Sequence, residues 1–168
     1  MSWTHDALVR DLAISFAGLL VFTDVALGPA GSPRPDVLTL RRSFAHPRPR
    51  AYEVKVSRAD ALADLRHEKW RKYESGCEAV YLAFPVGLLR ADEVPPEAGV
   101  RVRGPDGWRT LRGPAATRLH ARPDFETMMK LLLDGIDRAV AERIAAIREV
   151  PTAWKVTEAL RRKFGQEV

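Results

Sequence analysis

A chain of 168 residues with 46% hydrophobic side chains can bury one real core, which excludes a disordered chain and leaves no room for a second full domain. Its formal charge of +5 favours a polyanionic partner, and the one cysteine, Cys77, excludes an internal disulfide framework and any multi-cysteine zinc site. The chain has no Asn and one Gln, a composition common to thermophilic sources and GC-rich genomes.

Thr4 is placed to cap a helix whose apolar side is Ala7, Leu8, Leu12 and Ile14 to Phe16, ending near Gly18, and a strand from Leu19 to Leu27 should follow. Ser15, Gly18, Thr23 and Asp24 interrupt the apolar stretch 12–27, which is too short and too polar to span a bilayer. With no signal-peptide pattern visible, a cytoplasmic protein with no membrane contact is expected. The loop from Gly28 to Pro35 delivers the chain to Asp36. Val37 to Leu40 and Ala51 to Val56 both read as strands, and the Pro- and Arg-rich segment between them is long enough to bring the second back as an antiparallel neighbour of the first. That loop carries Arg41, Arg42, Arg48 and Arg50 around His46, either to lie over a phosphate backbone or as a solvated hairpin tip.

Ser57, with Asp60 three residues on, should cap a helix running to about Tyr73. On it Leu62, Arg66, Lys69 and Tyr73 form one stripe, so Lys69 and Tyr73 either reach a functional site or serve as a snorkelling lysine and a core tyrosine. Ala79 to Phe84 reads as a fully buried central strand beside a buried Cys77. Val100 to Arg103 and Trp108 to Leu111 should make a hairpin at a sheet edge, across Gly104-Pro105-Asp106-Gly107. Beyond Gly113-Pro114 the pattern becomes helical. Asp124 can cap a long helix with Phe125, Met129, Leu132, Ile136, Val140, Ile144 and Ile147 on one side, and Pro151 restarts a shorter one ending in Arg161, Arg162 and Lys163. The expected organisation is a domain over 1–115 and a C-terminal helical hairpin over 116–168 that either packs on the sheet or joins two subunits as a homodimer.

The chemistry concentrates between Arg34 and Glu74, where eleven Lys and Arg face six Asp and Glu. Side chains two apart on a strand share a face, so Glu53 and Lys55 point the same way and Val54 the other. If the two strands pair, Asp36 enters beside Glu53. Two converging carboxylates and a nearby backbone carbonyl are an oxygen set for a hard cation such as Mg²⁺ or Mn²⁺. Such an ion could activate water against a phosphodiester while Lys55 positions the nucleophile or steadies the developing charge.

Pro35-Asp36, a spacer and Glu53-Val54-Lys55 resemble the signature of the PD-(D/E)XK nuclease superfamily. The run EVKVSRADALADLRHEKWRKYESGCEAVYLAFPVGLL, followed by DEVPPEAGV, looks like its MmcB-like DNA-repair branch, and the resemblance covers about residues 4–112. It implies an α/β, restriction-endonuclease-like core with a central mixed β-sheet flanked by helices. It further implies a Mg²⁺- or Mn²⁺-dependent deoxyribonuclease of DNA repair, restriction or phage DNA metabolism. Asp36, Glu53 and the backbone of Val54 would hold the metal, Lys55 would manage the attacking water, and Lys69 would assist. Arg41, Arg42, Arg48, Arg50, Arg66 and Tyr73 would contact DNA. In this superfamily the first helix often adds an acidic residue facing the metal; Asp6 lies nearest the expected place, with Asp11 and Asp24 as alternatives, while His5 reads as a surface or capping histidine. The competing reading is a non-catalytic DNA-binding or assembly protein that keeps the fold; RNA as the target is weaker still.

Overall fold

The Thr4 hydroxyl accepts the Ala7 N–H at 3.3 Å and so starts α1 (His5–Ile14), which buries Leu8 and Leu12. The computed structural model that gives this arrangement describes residues 3–29, 31–43, 45–115, 117 and 121–149. Gly18, at φ +79°, turns the chain into β1 (Leu20–Thr23), shorter than the expected strand because Asp24 leaves it at φ 51°. Then come β2 (Val37–Leu40), β3 (Arg50–Val54), α2 (Arg58–Arg66), a 3-10 helix (Lys69–Tyr73), β4 (Ala79–Pro85), β5 (Gly99–Gly104), β6 (Gly107–Arg112) and α3 (Phe125–Glu149).

One six-stranded sheet in the order β1-β2-β3-β4-β5-β6 organises the chain. β2 is antiparallel to β1 and β3, β4 is parallel to β3 and β5, and β6 returns antiparallel to β5. The α/β class, the mixed sheet, the pairing of β2 with β3 and the terminal hairpin all match the sequence reading. β3, α2 and β4 form the crossover unit that parallel neighbours require. On one face Val37, Tyr52, Val54, Tyr81 and Ala83 pack with Leu8 and Leu12 of α1. On the other, Leu38, Ala51, Val80, Leu82 and Phe84 pack with Ala61 of α2 and with Trp70 and Tyr73 of the 3-10 helix. Every residue of β4 but Pro85 is buried, as a central strand covered on both faces should be.

The helix after Ser57 stops earlier than its stripe implies. His67 closes α2 and Glu68 adopts φ 48°, so the chain breaks and restarts as the 3-10 turn that seats Lys69 and Tyr73. The chain divides into two compact units, 1–131 and 132–168, and the whole sheet lies in the first. The shorter helix expected after Pro151, with its basic end, lies outside the described residues. Among the described residues no helix is long and apolar enough to cross a membrane.

Cys77 is fully buried, and burial pushes its thiol from 9.0 up to about 12. The folded protein should therefore resist a thiol reagent at pH 8 and react only once unfolded in urea. Because the folded value is the raised one, this group's contribution to stability is complete below pH 9 and is lost as pH climbs towards 12. Labelling of native protein at the rate of a free thiol would contradict the buried placement.

Candidate functional site

The site forms where β2 begins and β3 ends, which antiparallel pairing brings to the same end of the sheet. Asp36 stands immediately before β2, and its Oδ2 accepts the Val54 N–H at 2.6 Å, tying the first carboxylate to the strand that carries the second. Glu53 lies one residue before Val54, and its Oε1 is 3.2 Å from Lys55 Nζ, so Glu53 and Lys55 do share a face. Lys55 is 6% exposed although it is a lysine at a strand end, because three carboxylates surround its ammonium. Besides Glu53 these are Asp64, which accepts a hydrogen bond from Nζ, and Asp60 at 3.4 Å. Asp64, in turn, pairs with Lys69 Nζ at 2.7 Å through Oδ1.

Tyr73 closes the floor of the site. Its hydroxyl lies 2.6 Å from Glu53 Oε2 and 2.8 Å from the Arg34 carbonyl, and its ring is fully buried. The 3-10 turn makes this reach feasible, since it aims residue 73 back at β3. Tyr73 therefore holds Glu53 from within the core and is not the surface residue that contact with DNA, as expected from the sequence, would need.

The electrostatics follow from burial and from crowding of charge. Burial raises the Asp36 carboxyl above its ordinary 3.8, Glu53 beside it pushes further the same way, and the Val54 N–H and His5 offset only part. For Lys55, burial works against the ammonium, yet the bond to Asp64 and the charge of Glu53 outweigh it and leave the group firmly protonated. Asp64 shows the mirror case, its burial opposed by Lys55 and Lys69, which hold it below 3.8. Burial, followed by the Glu53 charge, drives the Tyr73 phenol well above 10.0, so it stays a neutral donor.

The charge of Glu53 adds to the cost of ionising the buried Asp36, and a divalent cation between the two carboxylates would relieve that cost. Among the described residues no three of His, Cys, Asp or Glu gather closely enough to form a ready-made cage. Asp36 and Glu53 fit an ion such as Mg²⁺, which takes one or two carboxylates and keeps water on its other faces.

Other expected positions fall elsewhere. The Asp6 side chain is 88% exposed, and the α1 residue that faces Asp36 is His5, whose Nε2 is 3.4 Å from Asp36 Oδ1. Successive helical residues are turned by about 100°, so a one-residue error in placing the helix start exchanges the two. Asp11 accepts hydrogen bonds from Arg103 Nε and Trp108 Nε1, both at 2.7 Å, and ties α1 to the terminal hairpin. Asp24 is 83% exposed and sits 3.8 Å from Arg34.

The basic loop is also displaced from the carboxylates. It joins the end of β2 to the start of β3, roughly 15 Å from the site at about 3.3 Å per residue along these strands. Arg48 and Arg50 each stand 3.7 Å from Glu78, which is buried, while Arg41 and Arg42 are exposed. Arg66, at the end of α2, is exposed, and the Lys69 side chain is 54% exposed beside the site. Asp64 and His5 are the residues that sequence reasoning missed. The signal for Asp64 was its place four residues after Asp60, on the same helical face as a carboxylate already near the cap.

No protein family matches the chain, and no curated protein is similar to it. Its fold resembles that of the SPO1766 protein of unknown function from Silicibacter pomeroyi, with a TM-score of 0.61 and 21% identity, covering 89% of this chain and 94% of that one. That likeness extends to the fold alone.

Proposed function

We propose that the chain is a metal-dependent nuclease of the PD-(D/E)XK type, with a restriction-endonuclease-like core, that hydrolyses DNA phosphodiester bonds. The observation that carries this reading is the convergence of Asp36, Glu53 and Lys55 at one end of two paired strands, with Asp36 bonded to Val54 at 2.6 Å and Glu53 3.2 Å from Lys55. Asp36, Glu53 and the Val54 carbonyl would hold Mg²⁺ or Mn²⁺, with His5 next to them. When bound, such an ion supplies an activated water and neutralises charge on the phosphoryl oxygens. Lys55, protonated and fixed, presents positive charge to the phosphate, and Tyr73 keeps the Glu53 carboxylate in its orientation. Lys69, exposed beside the site, suits contact with the backbone of DNA, and the exposed Arg66 at the end of α2 offers a further positive charge. A cytoplasmic location in DNA repair, restriction or phage DNA metabolism agrees with this chemistry. Exposed Leu132, Ile136, Val140 and Ile144 on α3 suit a homodimer joined through the C-terminal helices.

Calorimetric titration of Mn²⁺ into the wild type and Glu53→Ala, with a panel of single-stranded, duplex and branched DNA and RNA cleaved in the same buffer, tests the reading. Binding that vanishes in Glu53→Ala, together with cutting of DNA by the wild type, is the expected result. Absence of both binding and cutting would move the function to DNA binding without catalysis.

A further inference from the structure

We infer that Asp64 is a positioning residue, which holds the Lys55 ammonium in place independently of Glu53; its effect on cleavage rests on the nuclease reading above. Lysine carries a flexible four-carbon stem, and its ammonium has no fixed direction unless its partners supply one. Here the partners come from two elements. Glu53, two residues away on β3, approaches from one side at 3.2 Å, and Asp64, from the second turn of α2, accepts a hydrogen bond from the other. Asp60 adds a third contact at 3.4 Å, but its side chain is 59% exposed, so solvent screens it.

Glu53 cannot serve as the sole anchor. It is itself the proposed ligand of a cation and already accepts from Tyr73, so an ion bound to it would draw charge away from Lys55. Asp64 contacts the two lysines, Lys55 through Oδ2 and Lys69 through Oδ1 at 2.7 Å. A carboxylate 7% exposed and spanning two ammonium groups is expensive to desolvate, and hydrophobic residues of similar volume would serve packing as well or better. The arrangement makes sense as a fixed support for Lys55. Ser57 and α2 set its position: the Ser57 hydroxyl accepts the Asp60 N–H at 3.5 Å, and Asp64 follows one turn later on the same face.

The test uses the full chain without metal, then with Mn²⁺. Lysines are labelled by brief reductive methylation and read by mass spectrometry, while the cleavage constants and Mn²⁺ affinity are measured on the same preparations. In the wild type Lys55 should label far more slowly than the exposed Lys72, and in Asp64→Asn that protection should be lost. Mn²⁺ affinity should stay within about twofold, and kcat should fall by about 10- to 100-fold with KM unchanged, the size expected when a reacting group is misplaced by about 1 Å. Asp64→Glu keeps the charge on a longer stem, so it should protect Lys55 yet still lower kcat, and it carries the test if Asp64→Asn does not fold. Undiminished protection of Lys55 in Asp64→Asn, or full kcat in a variant with Lys55 exposed, would overturn the inference. Lost protection in a protein whose wild type cuts nothing would leave Asp64 as the anchor of Lys55 and remove the nuclease reading instead.

Discussion

Asp36→Asn is expected to lose cleavage by about 10³-fold, or roughly 4 kcal/mol of transition-state stabilisation, while the folded protein becomes no less stable at pH 7. The two halves of this expectation come from the same geometry. Asn keeps a carbonyl oxygen that can accept the Val54 N–H, so the tie between the start of β2 and the end of β3 survives. It removes a negative charge that burial and Glu53 both disfavour. The sign is set by the raised folded value. An acid held above its unfolded pKa supports the fold below the ordinary value near 3.8 and stops doing so as pH rises through the folded value, so at pH 7 the ionised form weighs against folding. A neutral isostere escapes that cost. Thermal melts at pH 4 and pH 7, with cleavage assayed alongside, check both halves. Sites that trade stability for activity behave this way, whereas a merely structural Asp36 would destabilise on replacement and leave catalysis alone. A lower melting temperature with retained cutting would defeat the nuclease assignment.

The second large effect is structural. Gly99 lies directly opposite Tyr81 across the parallel β4-β5 pair, and a Cβ built on it would sit 2.3 Å from Cδ1 and Cε1 of the Tyr81 ring. The ring covers the glycine and stacks on Tyr52 at 5.1 Å between centroids, and both tyrosines are buried against the α1 side of the sheet. Gly99→Ala must push that ring out of its stack, at a cost of about 3 kcal/mol, the upper part of the usual range for overpacking. Tyr81→Leu alone should also destabilise, but in its background the added methyl meets less crowding and the further cost of Gly99→Ala should shrink to below about 1 kcal/mol. Urea unfolding of the four proteins in this cycle measures the coupling. Additive penalties would show that the ring is not what the methyl meets.

Period-two alternation in β3 is enough to put Glu53 and Lys55 on one face, and the unbroken apolar run of β4 is enough to place it centrally; both features are local and were legible. The end of α2 was not. The stripe from Leu62 to Tyr73 is continuous in the sequence, and only packing of Trp70 and Tyr73 into the core selects the left-handed Glu68 and the 3-10 turn over a continued helix. Choice between His5 and Asp6 hung on one residue of helix phase. The displacement of the arginine loop, by contrast, could have been derived, because a loop joining two antiparallel strands must lie a strand's length from residues at their other ends. Composition drew attention to the arginines, and topology moved them away. Asp64 escaped notice because a carboxylate inside a capped helix reads as solvated until a neighbouring strand supplies a buried lysine.

A six-stranded open sheet has two outer strands, and each is a template on which another chain could grow a seventh. β1 offers only four residues, from Leu20 to Thr23, closed off by positive φ at Gly18 and Asp24 on either side. β6 is longer but carries the exposed Arg109, and its pairing with β5 slips at Val100/Arg101. Brevity on one side, and charge with an irregular ladder on the other, discourage edge-to-edge addition. The sheet can thus remain open without inviting the polymerisation that a long, flat, apolar border would promote.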